Sequence, residues 1–476
     1  MNAIANRFII VFLSALFILS AAIAAWFQQA AWLLVPFGFL ACIFLIQHPE
    51  YLLYVLLISI PWSFEYNFNE HLGTDLPDEP LMLMTALAGI LLIILNADKI
   101  KKIIAHPLII LLCFQLAWTF FTVLLSTEPV YSIKYLAAKC WYLLAFVAVP
   151  AFLFRNQKIM KKSLLLFAGS MVAVMILSLI RHAAYGFTFE KVNKAIEPFF
   201  RNHVNYSSLL VCIVPILIAC IQLLKPGSKK YVCVAILIVT IAAVIVSYAR
   251  GAWLALIIGF AAYWLIRKKL LLFSFILFFM LCTGFVLYLK NNDRYLKFSN
   301  DFKTTIFHTD FRQHLIATYE LKDVSTAERF YRWVAGINMI KDTWMTGFGP
   351  TTFYDHYKSY TIPAFKTWVS NNQEHSTIHN YFLLLLVEQG VPGLLLFLAL
   401  LAAMLWYVQR LYHHTTDPFR KIVLAATAAV LMMVCTVNFL SDLIETDKIG
   451  SVFYLCLAVI VAAPSTPPAL RRGRGT

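Results

Sequence analysis

Residues 231–290 read YVCVAILIVTIAAVIVSYARGAWLALIIGFAAYWLIRKKLLLFSFILFFMLCTGFVLYLK. Three apolar runs, at 231–247, 252–266 and 270–289, are parted only by the turn Ser247–Gly251 and the basic triplet Arg267-Lys268-Lys269. Apolar runs of this kind, joined by turns too short to hold a domain, are transmembrane helices. The pattern extends in both directions. Further spans fall near 8–27, 31–46, 51–63, 81–97, 107–126, 134–154, 163–181, 208–224, 380–408, 420–440 and 449–463. The runs at 31–46 and 51–63 are short, so tilted, broken or re-entrant segments are expected there. The fold class is therefore an all-α polytopic membrane protein of about 12–14 transmembrane helices.

Composition agrees. The 476 residues are 61% hydrophobic and 13% charged, which excludes a disordered chain and argues against a soluble one. The net charge of +15 does not point to nucleic acid, because much of it lies in short loops between spans. Basic loops are Lys99–Lys102, Arg155–Lys162, Lys225–Lys230, Arg267–Lys269 and Arg410–Lys421, with the tail Arg471–Arg474. The positive-inside rule makes these cytoplasmic. The intervening loops, such as Glu65–Glu79 and Asp442–Asp447, are acidic or mixed and come out on the far side. So do 182–207, the Ser247–Gly251 turn and one large polar stretch at 290–379. The nine cysteines all lie in apolar segments with no CxxC pair, so they read as small core residues. No Walker or Rossmann glycine pattern is present. Chemistry on the far side must then use a substrate activated before it arrives, such as a lipid pyrophosphate.

Three motifs face that side. Ser247-Tyr248-Ala249-Arg250-Gly251-Ala252-Trp253 places Arg250 at an outer helix end, where positive charge is disfavoured. A snorkelling arginine beside an interfacial tryptophan is the plainer alternative. Ser325-Thr326-Ala327-Glu328 reads as a capping box that opens a helix. Phe330, Val334, Ile337 and Trp344 recur at helical spacing, which suits a helix lying on the membrane. Gly347-Phe348-Gly349-Pro350 ends it. Arg329 sits at the start of this helix, where a cation is unfavourable unless an anion binds beside it, and guanidinium suits phosphate. His379-Asn380 precedes a span containing Gly390-Val391-Pro392-Gly393. Eleven residues place His379 and Gly390 on one helical stripe that admits a close neighbour, with a kink expected at Pro392. A histidine at a helix N-terminus favours the neutral form, as a general base requires, although a plain cap hydrogen bond fits too. His375 could join it in a metal site, but further ligands are not apparent. Trp333, Trp344, Trp368, Tyr354, Tyr357 and Tyr360 suit either a membrane belt or stacking on sugar rings.

Together these pieces resemble the O-antigen ligase / O-antigen polymerase superfamily. The Arg250 turn is similar to its S-x-x-R-G-A-W motif. Arg329 to Gly349 resembles its R…W…G-x-G loop helix, and His379-Asn380 with Gly390 and Gly393 resembles its H-N-x9-G-x-x-G signature. The likeness is best over about 200–405. It implies a GT-C-like fold in a bacterial inner membrane with the active site facing the periplasm. It implies metal-independent, inverting transfer of a glycan from undecaprenyl pyrophosphate, with no cofactor. His379 would deprotonate the acceptor hydroxyl, while Arg250 and Arg329 would hold the leaving pyrophosphate. Arg332 and Arg201 come second, with Lys194 and His203 behind them. Asn380, Gly390, Gly393, Trp253, Gly347 and Gly349 would be structural members of the motifs. Phe200–Tyr206 resembles the start of the family's domain but lacks its glycine-rich lead-in.

The expected organisation is N-terminal spans at 1–199, domain spans at 200–289, the large periplasmic loop at 290–379, and C-terminal spans with a basic tail at 380–476. Three acceptors remain open: lipid A–core for a ligase, a second lipid-linked glycan for a polymerase, or a protein hydroxyl for an O-oligosaccharyltransferase. The histidine motif favours the ligase. A transporter or flippase would instead place charges or broken helices at the bilayer midplane.

Overall fold

The computed structural model describes residues 35–69, 72–298, 324–366, 370 and 377–464, with parts of 15–29. Among the described residues, ten helices are long and apolar enough to cross a membrane, or eleven if the bent pair Gly38–Gln47 and Pro49–Trp62, which meet at 113°, is one span. The larger number read from sequence also counts the span at 8–27, half of which lies outside the described residues. It counts as well the 16-residue helix Asp447–Ala462 and both halves of the bent pair. The break falls at His48-Pro49, where proline opens the second half.

The helices used below are α1 (Pro107–Leu124), α2 (Pro129–Leu153), α3 (Gln157–Ala184), α4 (His203–Leu223), α5 (Ser228–Val246), α6 (Arg250–Arg267), α7 (Leu271–Lys290), α8 (Val324–Thr343), α9 (Tyr381–His414), α10 (Pro418–Phe439) and α11 (Asp447–Ala462). One feature departs from the all-α expectation. The acidic loop before residue 78 is a β-hairpin, Phe64–Asn69 paired antiparallel with Leu72–Leu76.

Helix α10 is the hub and packs against α4, α6, α9 and α11. It shows why α6 is rich in small residues. The buried face of α6 is Ala252, Ala255, Gly259, Ala262 and Ile266. A Cβ on Gly259 would come within 2.0 Å of Met433 on α10. Small side chains at helical spacing let two backbones approach, which drives helix association where hydrocarbon offers no hydrophobic gain. α5 and α7 show only 17% and 11% of their spans buried, so they face lipid.

Polar contacts segregate to the two ends of the bundle. At one end the basic loops meet: Arg155 donates to the Lys99 carbonyl, Gln157 to Asp417, and the Leu271 N–H to Gln409. At the other end lie contacts among the acidic and mixed loops. Thr127 joins Phe348 and His356, Lys139 joins Glu445, and Lys448 joins Ile60 and Ser63. This is the alternation that loop charge predicts.

Candidate active site

Four segments converge at the second end. The first is α8. Its buried face is Ala327, Tyr331, Ala335 and Met339, flanked by Glu328 and Arg332. The expected apolar stripe is not that face: Ile337 and Trp344 are exposed, and Phe330 and Val334 are half-buried. A Cβ on Gly336 would lie 2.4 Å from Ile378. Of the expected capping box, Glu328 takes a hydrogen bond from Ser370 at 2.5 Å and pairs with Arg332 at 3.4 Å, while the Ser325 side chain lies outside the described residues. Trp368 and His375 lie outside them too.

The second segment is Thr377–Asn380. Arg332, 2% exposed, donates to the Thr377 carbonyl at 2.7 Å, and Trp333 donates to the Ile378 carbonyl at 3.1 Å. His379 has φ +55, a left-handed conformation unusual for a residue with a side chain. Asn380 then caps α9 by accepting from the Leu383 N–H at 3.0 Å. His379 and Gly390 therefore do not share a helical stripe: His379 precedes the helix, and Gly390 interrupts it.

That interruption replaces the kink expected at Pro392. Gly390 has φ 67 and ψ −175. The freed backbone groups are taken up by the loop after α8. Phe348 N–H donates to the Val387 carbonyl, Gly349 N–H to Glu388, and Val391 N–H to Trp344. A Cβ would meet backbone at 2.3 Å on Gly347 and at 2.2 Å on Gly390. On Gly349 it would meet Ser126 at 2.2 Å. Glycine is required at Gly347 and Gly390 because two backbones touch there, and at Gly349 because its φ is +106 and Ser126 fills the space. Gly393 faces Gln389 and Trp118. Trp118 donates to the Gln389 carbonyl at 2.8 Å, which ties α1 to the break.

The third segment is the turn 440–446, which sequence reasoning placed only in an acidic loop. The Leu440 carbonyl accepts from Arg329 Nε at 3.3 Å, and the Ser441 carbonyl accepts from the Tyr381 N–H at 3.0 Å. Asp442 Oδ1 lies 3.9 Å from His379 Nδ1. The nearest signal for Asp442 was an acidic residue on the far side, directly before the last helix.

The fourth segment is the head of α6. Trp253 donates to the Val244 carbonyl at 3.0 Å and closes the turn from α5. Arg250 is the first residue of α6 and is half-buried. Next to it, a Cβ on Gly251 would meet Leu440 at 3.4 Å, so the Arg250 turn and Arg329 reach the same residue. Arg201 is exposed in the turn before α4, and no hydrogen bond or ion pair joins it to His379 among the described residues. His203 contacts Asn193, and the Lys194 carbonyl accepts from Arg181, in a separate cluster.

Electrostatics fix the state of His379. Burial, then Arg332 and Arg329, hold its pKa well below the usual 6.5, at about 3. The imidazole is therefore neutral near pH 7. Its Nε2 lies 3.4 Å from Arg332 Nη1. A guanidinium only donates, so Nε2 carries the lone pair and the proton sits on Nδ1, toward Asp442. Burial raises the Asp442 carboxyl above its ordinary value. The site thus combines a neutral, oriented base with guanidinium charge, an arrangement that can remove a proton from a hydroxyl beside a stabilised anion. Among the described residues no group of three or more His, Cys, Asp or Glu could hold a metal ion.

The fold is that of a multi-pass, all-α membrane protein. Residues 235–398 match the family model described as O-Antigen ligase, which supports a membrane glycan-transferring, ligase-like role. The matched stretch runs from within α5 to Leu398 in α9. It includes Arg250, Arg329, Arg332 and His379 but not Asp442. No curated protein matches the chain.

Proposed function

We propose that this protein transfers a glycan from undecaprenyl pyrophosphate to lipid A–core at the periplasmic face of the bacterial inner membrane. The observation that carries the reading is the neutral His379 between Arg332 and Asp442, with Arg329 bonded to the adjoining turn. The acceptor hydroxyl displaces the long Arg332 contact at His379 Nε2, which then takes the hydroxyl proton as that oxygen attacks the anomeric carbon. The bond to pyrophosphate breaks with inversion, and Arg329 and Arg250 offset the charge that develops on the leaving group. Arg332, already committed to Thr377 and Glu328, adds charge and orients His379. Arg201 lies on the same end of the bundle, where it meets the donor on approach. The proton on Nδ1 faces Asp442, which steadies the imidazolium formed in the step.

Deleting the gene and separating the host's lipopolysaccharide on a gel tests the reading. Lipid A–core without polymer, beside accumulated lipid-linked polymer, is expected. Core bearing single repeats indicates a polymerase, and unchanged lipopolysaccharide with altered glycoproteins indicates a protein acceptor. Either result overturns the acceptor assigned here.

A further inference from the structure

The turn 440–446 meets Arg329 through the Leu440 carbonyl, the head of α9 through the Ser441 carbonyl, and His379 through Asp442. Its own shape is held by Asn438, whose Oδ1 accepts from the Ile444 N–H at 2.9 Å, and by the Glu445 N–H, which donates to the Asp442 carbonyl at 3.2 Å. One further tie leaves the C-terminal part of the chain altogether. The Glu445 carboxylate accepts from Tyr135 Oη at 3.0 Å and from Lys139 Nζ at 3.2 and 3.3 Å, both on α2. The Lys139 and Glu445 side chains are only 13% and 25% exposed. In such surroundings a charged pair with two hydrogen bonds, joined by a third from Tyr135, holds its geometry far better than a surface pair does.

We propose that Glu445 is a positioning residue for glycan transfer: clamped by Lys139 and Tyr135, it fixes the turn that sets Asp442 against His379 and the Leu440 carbonyl against Arg329. The helices before residue 200 contribute none of the side chains assigned to the chemistry. Through this clamp α2 nevertheless sets the register of the parts that do. The inference rests on the reading of His379 as base, because a misplaced Asp442 affects the rate only if the imidazole must be oriented.

The test uses the full chain in liposomes, with lipid-linked glycan extracted from host membranes as donor and lipid A–core as acceptor. Glu445→Gln and Lys139→Gln each lower kcat by about tenfold or more while KM for the donor stays within about twofold, the signature of lost positioning rather than lost binding. Exchanging the partners, Lys139→Glu with Glu445→Lys, restores most of the lost kcat. Tyr135→Phe, which removes a single hydroxyl, gives a smaller loss in the same direction and serves where the charge variants do not accumulate. Wild-type kcat in the single variants overturns the proposal. So does a rise confined to KM, or a loss that tracks folded protein and is not restored by the exchange. His379→Ala, measured alongside, separates the two ideas. Full activity there sinks the base reading whatever Glu445 does; an inactive His379→Ala beside an unimpaired Glu445→Gln sinks only the clamp.

Discussion

Arg332 Nη1 lies 3.4 Å from His379 Nε2, so the imidazole meets a fixed positive charge at the atom that would take a proton. Arg332 is itself anchored by Glu328 and the Thr377 carbonyl, and the contact is built into the packing of α8 against the head of α9. Such a contact costs stability unless the histidine stays neutral. Its consequences can be measured.

Acidity is the first. The groups facing His379 are Arg329 and Arg332 from α8 and Asp442 from the turn 440–446. With its pKa at about 3 in the folded chain and near 6.5 once unfolded, His379 binds fewer protons folded than unfolded in that interval. Stability therefore rises with pH there, and it falls as the medium is acidified from 6.5 toward 3. The melting temperature in detergent should fall over this range, and His379→Gln should flatten the part of the slope that His379 supplies. Transfer by the wild-type protein should show no acid limb near 6.5 from His379.

Arg329 and Arg332, three residues apart, should fail differently. Arg329→Lys keeps the charge and loses the planar fork, so the protein folds and transfer drops by about tenfold or more. Arg332→Leu leaves the Glu328 carboxylate buried without its cation, at a cost on the order of 3–5 kcal/mol. Thermal melts separate the two, with only the second lowering the midpoint strongly. Wild-type transfer by Arg329→Lys would remove bidentate phosphate binding from the mechanism.

The glycines separate in the same way. Gly390→Ala forces a side chain into a left-handed backbone and against the Met345 carbonyl carbon and oxygen, at 2.4 and 2.2 Å. Backbone strain alone costs about 1–3 kcal/mol, and the clash adds to it. Gly169→Ala in α3 meets nothing within 4 Å and should be neutral or stabilising by roughly 0.5–1 kcal/mol. Expression and melting of the two variants side by side check the contrast.

Asn380→Ala removes the cap of α9 at the residue after His379. The expected loss is about 1 kcal/mol of stability. Because the cap also fixes where the helix starts, transfer should fall further than the melting midpoint implies, and Asn380→Asp should recover most of both.

Much of this was legible in the chain. Span positions and the alternation of loops follow from hydropathy and charge, which act locally. Arg250, Arg329 and His379 stood out because each is a polar group at a place where a helix end disfavours it. Three things were hidden. The hairpin at 64–76 is short and carries polar residues that loop composition also explains. The break in α9 was assigned to Pro392, although the backbone conformation that needs explaining belongs to Gly390; only the loop packed beside it shows why. Asp442 and Glu445 lie more than 60 residues beyond His379, and no spacing rule connects segments brought together by helix packing.

Helix α9 is 34 residues long, and its length fixes how far the site stands from the hydrocarbon. The Gly390 break divides it, and the run from Val391 to His414 alone rises ~35 Å at about 1.5 Å per residue, against roughly 30 Å for a bilayer core. Residues 381–390, buried apart from two half-exposed leucines, are the part that protein rather than lipid encloses. His379 precedes that part, so it stands past the span rather than within it. A substrate anchored by its tail can present its phosphates to the site without leaving the bilayer, and its polar chain extends upward into water.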